Sequence, residues 1–141
     1  MTYRYTPPFG IRVLQIVILC EAILRGIAFI LTPQVTLATT DIVASAPIQV
    51  WGAGFITFAV VGLFGEALMS GVPLSANDSS ARAWPSFVAH SGLMILYSAM
   101  TLAYVAAVFD GEHALSTAPG AMAVFAYVHW LFARRKKSHV T

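Results

Sequence analysis

Charge is what this sequence has least of. Of its 141 residues, 10% are Asp, Glu, Lys or Arg and 58% are hydrophobic, with a mean hydropathy of +0.77. A soluble globular domain is about 25% charged and 45–50% apolar. The polar surface is therefore too small to cover a water-facing exterior, and a lipid-facing one is the alternative. With one cysteine, Cys20, there is no disulfide framework and no cysteine metal set. Cys20 is read as a core residue. Also missing are a glycine-rich phosphate loop, a nucleophile elbow, a Cys/His cluster and a heptad repeat. No catalytic residue, metal or cofactor is expected, and the leading reading is non-enzymatic. The absence of an internal repeat disfavours an inverted-repeat transporter. The one basic cluster is four residues long and adjoins an apolar helix, so nucleic acid is not an expected partner.

What the chain has is apolar length. A bilayer-spanning helix needs roughly 20 mostly apolar residues. Four segments are read as spans: Ile11 to Leu31, closed by Pro33; Ile48 to Met69, closed by Gly71 and Pro73; Phe87 to Phe109, preceded by Pro85 and ended by Asp110 and Gly111; and Pro119 to Ala133, stopped by the basic tail. Pro119 suits a first helical turn, where its missing N–H costs nothing. The expected fold is all-α: residues 1–141 form one integral membrane domain, four transmembrane helices in an up-down bundle.

Lys and Arg concentrate in cytoplasmic loops. Arg4 and Arg12 precede the first helix, Arg82 lies in the second link, and Arg134, Arg135, Lys136 and Lys137 form the tail. The first and third links carry only Asp41, Asp110, Glu112 and His113. Both termini are therefore expected in the cytoplasm, with the tail setting topology or binding lipid headgroups. Trp51, Trp84 and Trp130 are read as interfacial anchors, and His129 as interfacial.

Several polar side chains interrupt the apolar runs. Glu21 and Arg25 are spaced i,i+4 in the order that favours an ion pair. Glu21 falls about 15 Å along the first helix at 1.5 Å per residue, near the bilayer centre. The pair should turn inward, although Arg25 could instead stretch toward the outer interface. Two roles stay open for it: a register clamp between helices, or a midplane site for an ion, proton or ligand.

In the second helix Gly52, Phe55, Ala59, Gly62 and Glu66 share one face. Gly52, Ala59 and Gly62 make it a packing face, because small residues let helices approach closely in lipid. Glu66 closes that face as either a solvated carboxylate or a partner for His90. Glu66 with His90 would be a proton-handling pair or a packing hydrogen bond. His90, Met94, Tyr97, Thr101 and Tyr104 make one face of the third helix, with Tyr97, Thr101 and Tyr104 as its polar part.

Two resemblances follow from these segments. "WGAGFITFAVVGLFGEALMSG" (Trp51 to Gly71) and "RAWPSFVAHSGLMILYSAM" (Arg82 to Met100) resemble small four-span holin-like membrane proteins of actinobacterial phages. That resemblance implies a homo-oligomer that opens lesions in the cytoplasmic membrane, with the bilayer as its first partner. "ILRGIAFILTP" (Ile23 to Pro33) resembles DoxX-like four-helix membrane proteins. It implies a redox-associated role beside another membrane protein. The leading expectation is a holin-like protein acting by self-association. The alternative is an accessory subunit of a redox or proton-handling complex with an intramembrane Glu/Arg/His pocket.

Overall fold

The structure, a computed structural model, describes residues 9–31, 46–70 and 76–137. Arg4, Pro33, Asp41, Gly71 and Pro73 lie outside the described residues, as do the side chains of Arg82, Arg135, Lys136 and Lys137. The described chain forms four α-helices: α1 (Phe9–Leu31), α2 (Ile48–Ser70), α3 (Ala76–Phe109) and α4 (Ala118–Lys137), with a short 3-10 turn at His113–Leu115. α1 packs on α2, α2 on α3 and α3 on α4.

The direction of each helix follows from its contacts. Gln15 of α1 meets Glu66 near the end of α2, whereas Gly26 meets Gly52 near its start. Likewise Gly65 faces Ser86 while Gly54 faces Leu96, and His90 meets His129 while Tyr97 meets Phe125. Consecutive helices therefore run antiparallel.

Three of the helices contain stretches long and apolar enough to cross a membrane: Gly10–Leu31, Ile48–Met69 and Ala83–Phe109. α4 is the exception to the four-span expectation. From Ala118 to Ala133 it rises about 24 Å at 1.5 Å per residue, short of the ~30 Å hydrocarbon core, and its last turn is basic. Large apolar side chains such as Val17, Leu24, Val60, Phe64, Ile95 and Leu102 point outward. An exterior of this kind suits lipid, and the chain is a multi-pass, all-α membrane protein.

Two helix boundaries differ from the sequence reading. α3 begins at Ala76 and runs through Pro85. Proline deletes one backbone donor, but neighbouring helices in a bundle can hold such a turn in place. α4 continues through its basic residues to Lys137, because Lys and Arg are good helix formers and end a membrane span rather than a helix. The end of α3 falls where expected. Glu112 N–H donates to Ala107 O at 3.0 Å and Gly111 N–H to Val108 O at 3.2 Å, with Gly111 at φ 104°. This is a Schellman cap, and its left-handed position favours glycine.

Close helix approach relies on glycine. A Cβ added to Gly26 would lie 2.6 Å from Gly52 O, and one on Gly65 would lie 2.7 Å from Ser86 N. Such backbone-to-backbone contacts are what small residues permit between helices in lipid. Between them lies a core of Leu19, Ala22, Phe29, Phe55, Ala59, Leu93, Tyr97, Met100 and Met122. Phe55 stands edge-on to both Phe29 and Tyr97.

Candidate functional site

Five polar side chains from all four helices meet inside the bundle, at the end where α1 begins and α2 finishes. Gln15 on α1, Glu66 on α2, Ser86 and His90 on α3, and His129 on α4 are all buried, Glu66 being 8% exposed. Gln15 is their hub. Its Nε2 donates to Glu66 Oε1 at 2.5 Å, lies 3.3 Å from Ser86 Oγ and 2.9 Å from His90 Nε2. Ser86 Oγ–H donates to the same Glu66 oxygen at 2.8 Å. On the other side of its ring, His90 Nδ1 lies 2.8 Å from His129 Nδ1.

Donor and acceptor roles follow from the inventory of each group. A Gln amide nitrogen is donor only, so His90 Nε2 accepts from it. A neutral imidazole then carries its proton on the other nitrogen. His90 Nδ1–H therefore donates to His129 Nδ1, and His129 carries its own proton on Nε2. That last atom is buried and has no hydrogen-bond partner among the described residues. The tautomers are thus assigned by the hydrogen-bond network, and the chain of bonds has a direction.

A second polar cluster lies deeper, about 9 Å further along α1 at 1.5 Å per residue. Arg25 Nε donates to Glu21 Oε1 at 2.8 Å, and Arg25 Nη2 also bonds that oxygen. Tyr97 Oη–H donates to Glu21 Oε2. The Arg25 guanidinium lies over the rings of Tyr97 and Phe125, 5.7 Å from each centroid. Arg25 therefore turns back toward the middle of its helix and does not stretch to the outer interface. The two side chains stay 21% and 26% exposed, so this cluster is only half enclosed. The two clusters touch through rings: Tyr97 stacks on His129 with centroids 5.3 Å apart and planes 16° apart.

Several expectations need correcting. His129 is fully buried and bonded to His90, not interfacial, because α4 lies across the His90–Tyr97 face of α3. Glu66 is not a solvated carboxylate, since the α2–α3 contact at Gly65 and Ser86 encloses it. Cys20 faces outward rather than into the core. Around it the outer side of α1 is apolar, so a weakly polar thiol is at home there.

The remaining singled-out residues divide by place. Gly52, Ala59 and Gly62 are buried, Gly52 against Gly26 and Gly62 against Leu19 and Ala89. Thr101 bonds its own helix at Tyr97 O, and Tyr104 packs in the core. Trp84 and Trp130 are exposed, Trp130 lying beneath the Arg134 guanidinium, whereas Trp51 is half-buried. Gln15 and Ser86 carry much of the network and were not singled out. Gln15 did leave a signal, as the one amide side chain in the first apolar run. Ser86 left none. Among the described residues no three His, Cys, Asp or Glu side chains are grouped to hold a metal ion.

The chain matches no family model, no curated protein and no solved structure. Neither the holin-like nor the DoxX-like resemblance gains support from these comparisons, so any function rests on the site itself.

Proposed function

We propose that the chain is an integral subunit of a membrane redox or proton-handling complex, and that its buried Glu/Gln/His network takes up and holds a proton. One observation carries this reading: a carboxyl group and two imidazoles joined through Gln15 in the buried interior of the bundle. Ionisable groups at membrane depth are expensive and mark proton or ion paths. Imidazole and carboxyl groups in one hydrogen-bonded chain are the chemistry such paths use. The network occupies one end of the bundle, while Phe29, Phe55, Met100 and Met122 fill the interior further on. That favours a proton entering and leaving from one side over a route through a single chain.

Self-association into lesions draws less support. The Gly52–Ala59–Gly62 face, a natural surface for it, is occupied by α1 and α3 of the same chain. The arrangement with both termini in the cytoplasm, the basic tail at the headgroups and the network at that end of the bundle follows the distribution of Lys and Arg.

Infrared difference spectroscopy on the protein in lipid nanodiscs tests the proton reading. Acidification should produce the band of one buried protonated carboxyl that Glu66→Gln removes with helicity unchanged. A Glu66 that stays ionised wherever the bundle stays folded would overturn it. Inducible expression with continuous recording of membrane potential tests the competitor: abrupt depolarisation after a delay would favour a lesion-former.

A further inference from the structure

The network admits two self-consistent hydrogen-bond arrangements, and we propose that Gln15 switches between them when Glu66 takes a proton. The proposal rests on the proton-handling reading and deepens it by assigning the protonation site and the residue that relays its state. In the arrangement described above, the Gln15 amide nitrogen points at an ionised Glu66 and at His90 Nε2. Both contacts need a donor there. When Glu66 takes its proton on Oε1, the oxygen that Gln15 bonds, it presents an O–H there instead, and a donor facing a donor is an unsatisfied buried pair. Turning the Gln15 amide over by half a turn places its oxygen at the same point. That oxygen accepts from Glu66 O–H and, through its second lone pair, from His90 Nε2–H.

The consequence runs on to α4. With Nε2 protonated, a neutral His90 has a bare Nδ1. Two Nδ1 atoms 2.8 Å apart hold one proton between them, so that proton now belongs to His129. A neutral His129 is then bare at Nε2. Counting protons, Glu66 gains one, the shared proton crosses from His90 to His129, His90 gains one at Nε2 and His129 gives one up at Nε2. Water is donor and acceptor for the exchange, and both rings end neutral. His129 Nε2, buried and without a partner among the described residues, thereby changes from donor to acceptor. Protonation on α2 is thus reported on α4.

Among the described residues, the groups facing this chain come from all four helices. Gln15 faces it from α1, Glu66 from α2, Ser86 and His90 from α3, and His129 from α4. Phe132 stacks on His90 at 5.2 Å, and Tyr97 stacks on His129. Tyr97 in turn holds Glu21 and Arg25, whose charges compensate each other. Gln15 is accordingly a positioning residue: it carries no proton of its own and dictates which ring nitrogen does.

Nitrogen-15 spectra of histidine in nanodiscs decide the matter, since protonated and bare ring nitrogens resonate far apart. Carbon-13 spectra of the Glu66 carboxyl are recorded over the same pH series. With Glu66 ionised, His90 should carry its proton on Nδ1 and His129 on Nε2. As Glu66 protonates, both assignments should reverse together, and neither ring should become imidazolium. In Gln15→Leu the two tautomers should no longer follow Glu66, whereas Ser86→Ala should keep the reversal. A Glu66 that titrates while both rings keep their tautomers sinks the switch alone. A Glu66 that never titrates sinks the proton-handling reading with it. If Gln15→Leu does not fold, the wild-type series still decides.

Discussion

The two polar clusters of this bundle place similar chemistry in opposite structural settings. Glu21 and Arg25 sit one helical turn apart on α1 and meet wherever that helix forms; the tertiary structure adds Tyr97 and the ring of Phe125. The Gln15–Glu66–Ser86–His90–His129 network has no such local pair. Its partners are 20 to 75 residues apart in sequence, and each helix contributes one or two of them. The first cluster carries opposite charges that neutralise each other and stays about a quarter exposed. The second is enclosed, with one carboxyl beside two imidazoles, and among the described residues His129 Nε2 is left without a partner. On the function proposed above, the enclosed network is the chemical site and the Glu21–Arg25 pair a packing clamp.

Substitutions can break this contrast, and the largest effect should come from Gly65→Ala. Its Cβ would press on the Ser86 backbone, which cannot rotate away, and part α2 from α3 at the network. A loss of about 3 kcal/mol, the upper end for overpacking, should appear as an earlier unfolding midpoint in a denaturing-detergent titration. Gln15→Leu comes next. It strips Glu66 and His90 of a shared donor, and about 2 kcal/mol should be lost. A variant as stable as wild type would mean that the network is not closed in the membrane.

Smaller effects should come from the partly exposed cluster. Glu21→Gln removes the ion pair and one of the two acceptor oxygens that Arg25 and Tyr97 use, so about 1 kcal/mol is expected. The same unfolding titration reads this, and a collapse of assembly would mark Glu21 as the main register clamp. Tyr97→Phe removes one interhelical hydrogen bond while leaving its rings stacked, for about 0.6 kcal/mol. The comparison is sharpest in a double-mutant cycle between Gln15→Leu and Glu21→Gln. Independent clusters should add to within about 0.5 kcal/mol, and a larger coupling would show that the His129–Tyr97 stack joins them into one unit.

Composition and local spacing determined a good deal by themselves. Scarce charge pointed to a membrane, and apolar runs of about 20 residues pointed to helices, which satisfy their backbone groups within one segment in lipid. Hydropathy located all four helices, and the i,i+4 spacing located the Glu21–Arg25 pair, since both depend on residues close in sequence. The tertiary structure alone decided how each helix turns about its axis. That rotation put Cys20 outside and His129 inside, enclosed Glu66, and brought Gln15 and Ser86 to it. In water an apolar stripe announces the buried face of a helix. In lipid the outer face is apolar too, so the stripe fades, and which polar groups meet is settled by where glycines let the helices touch.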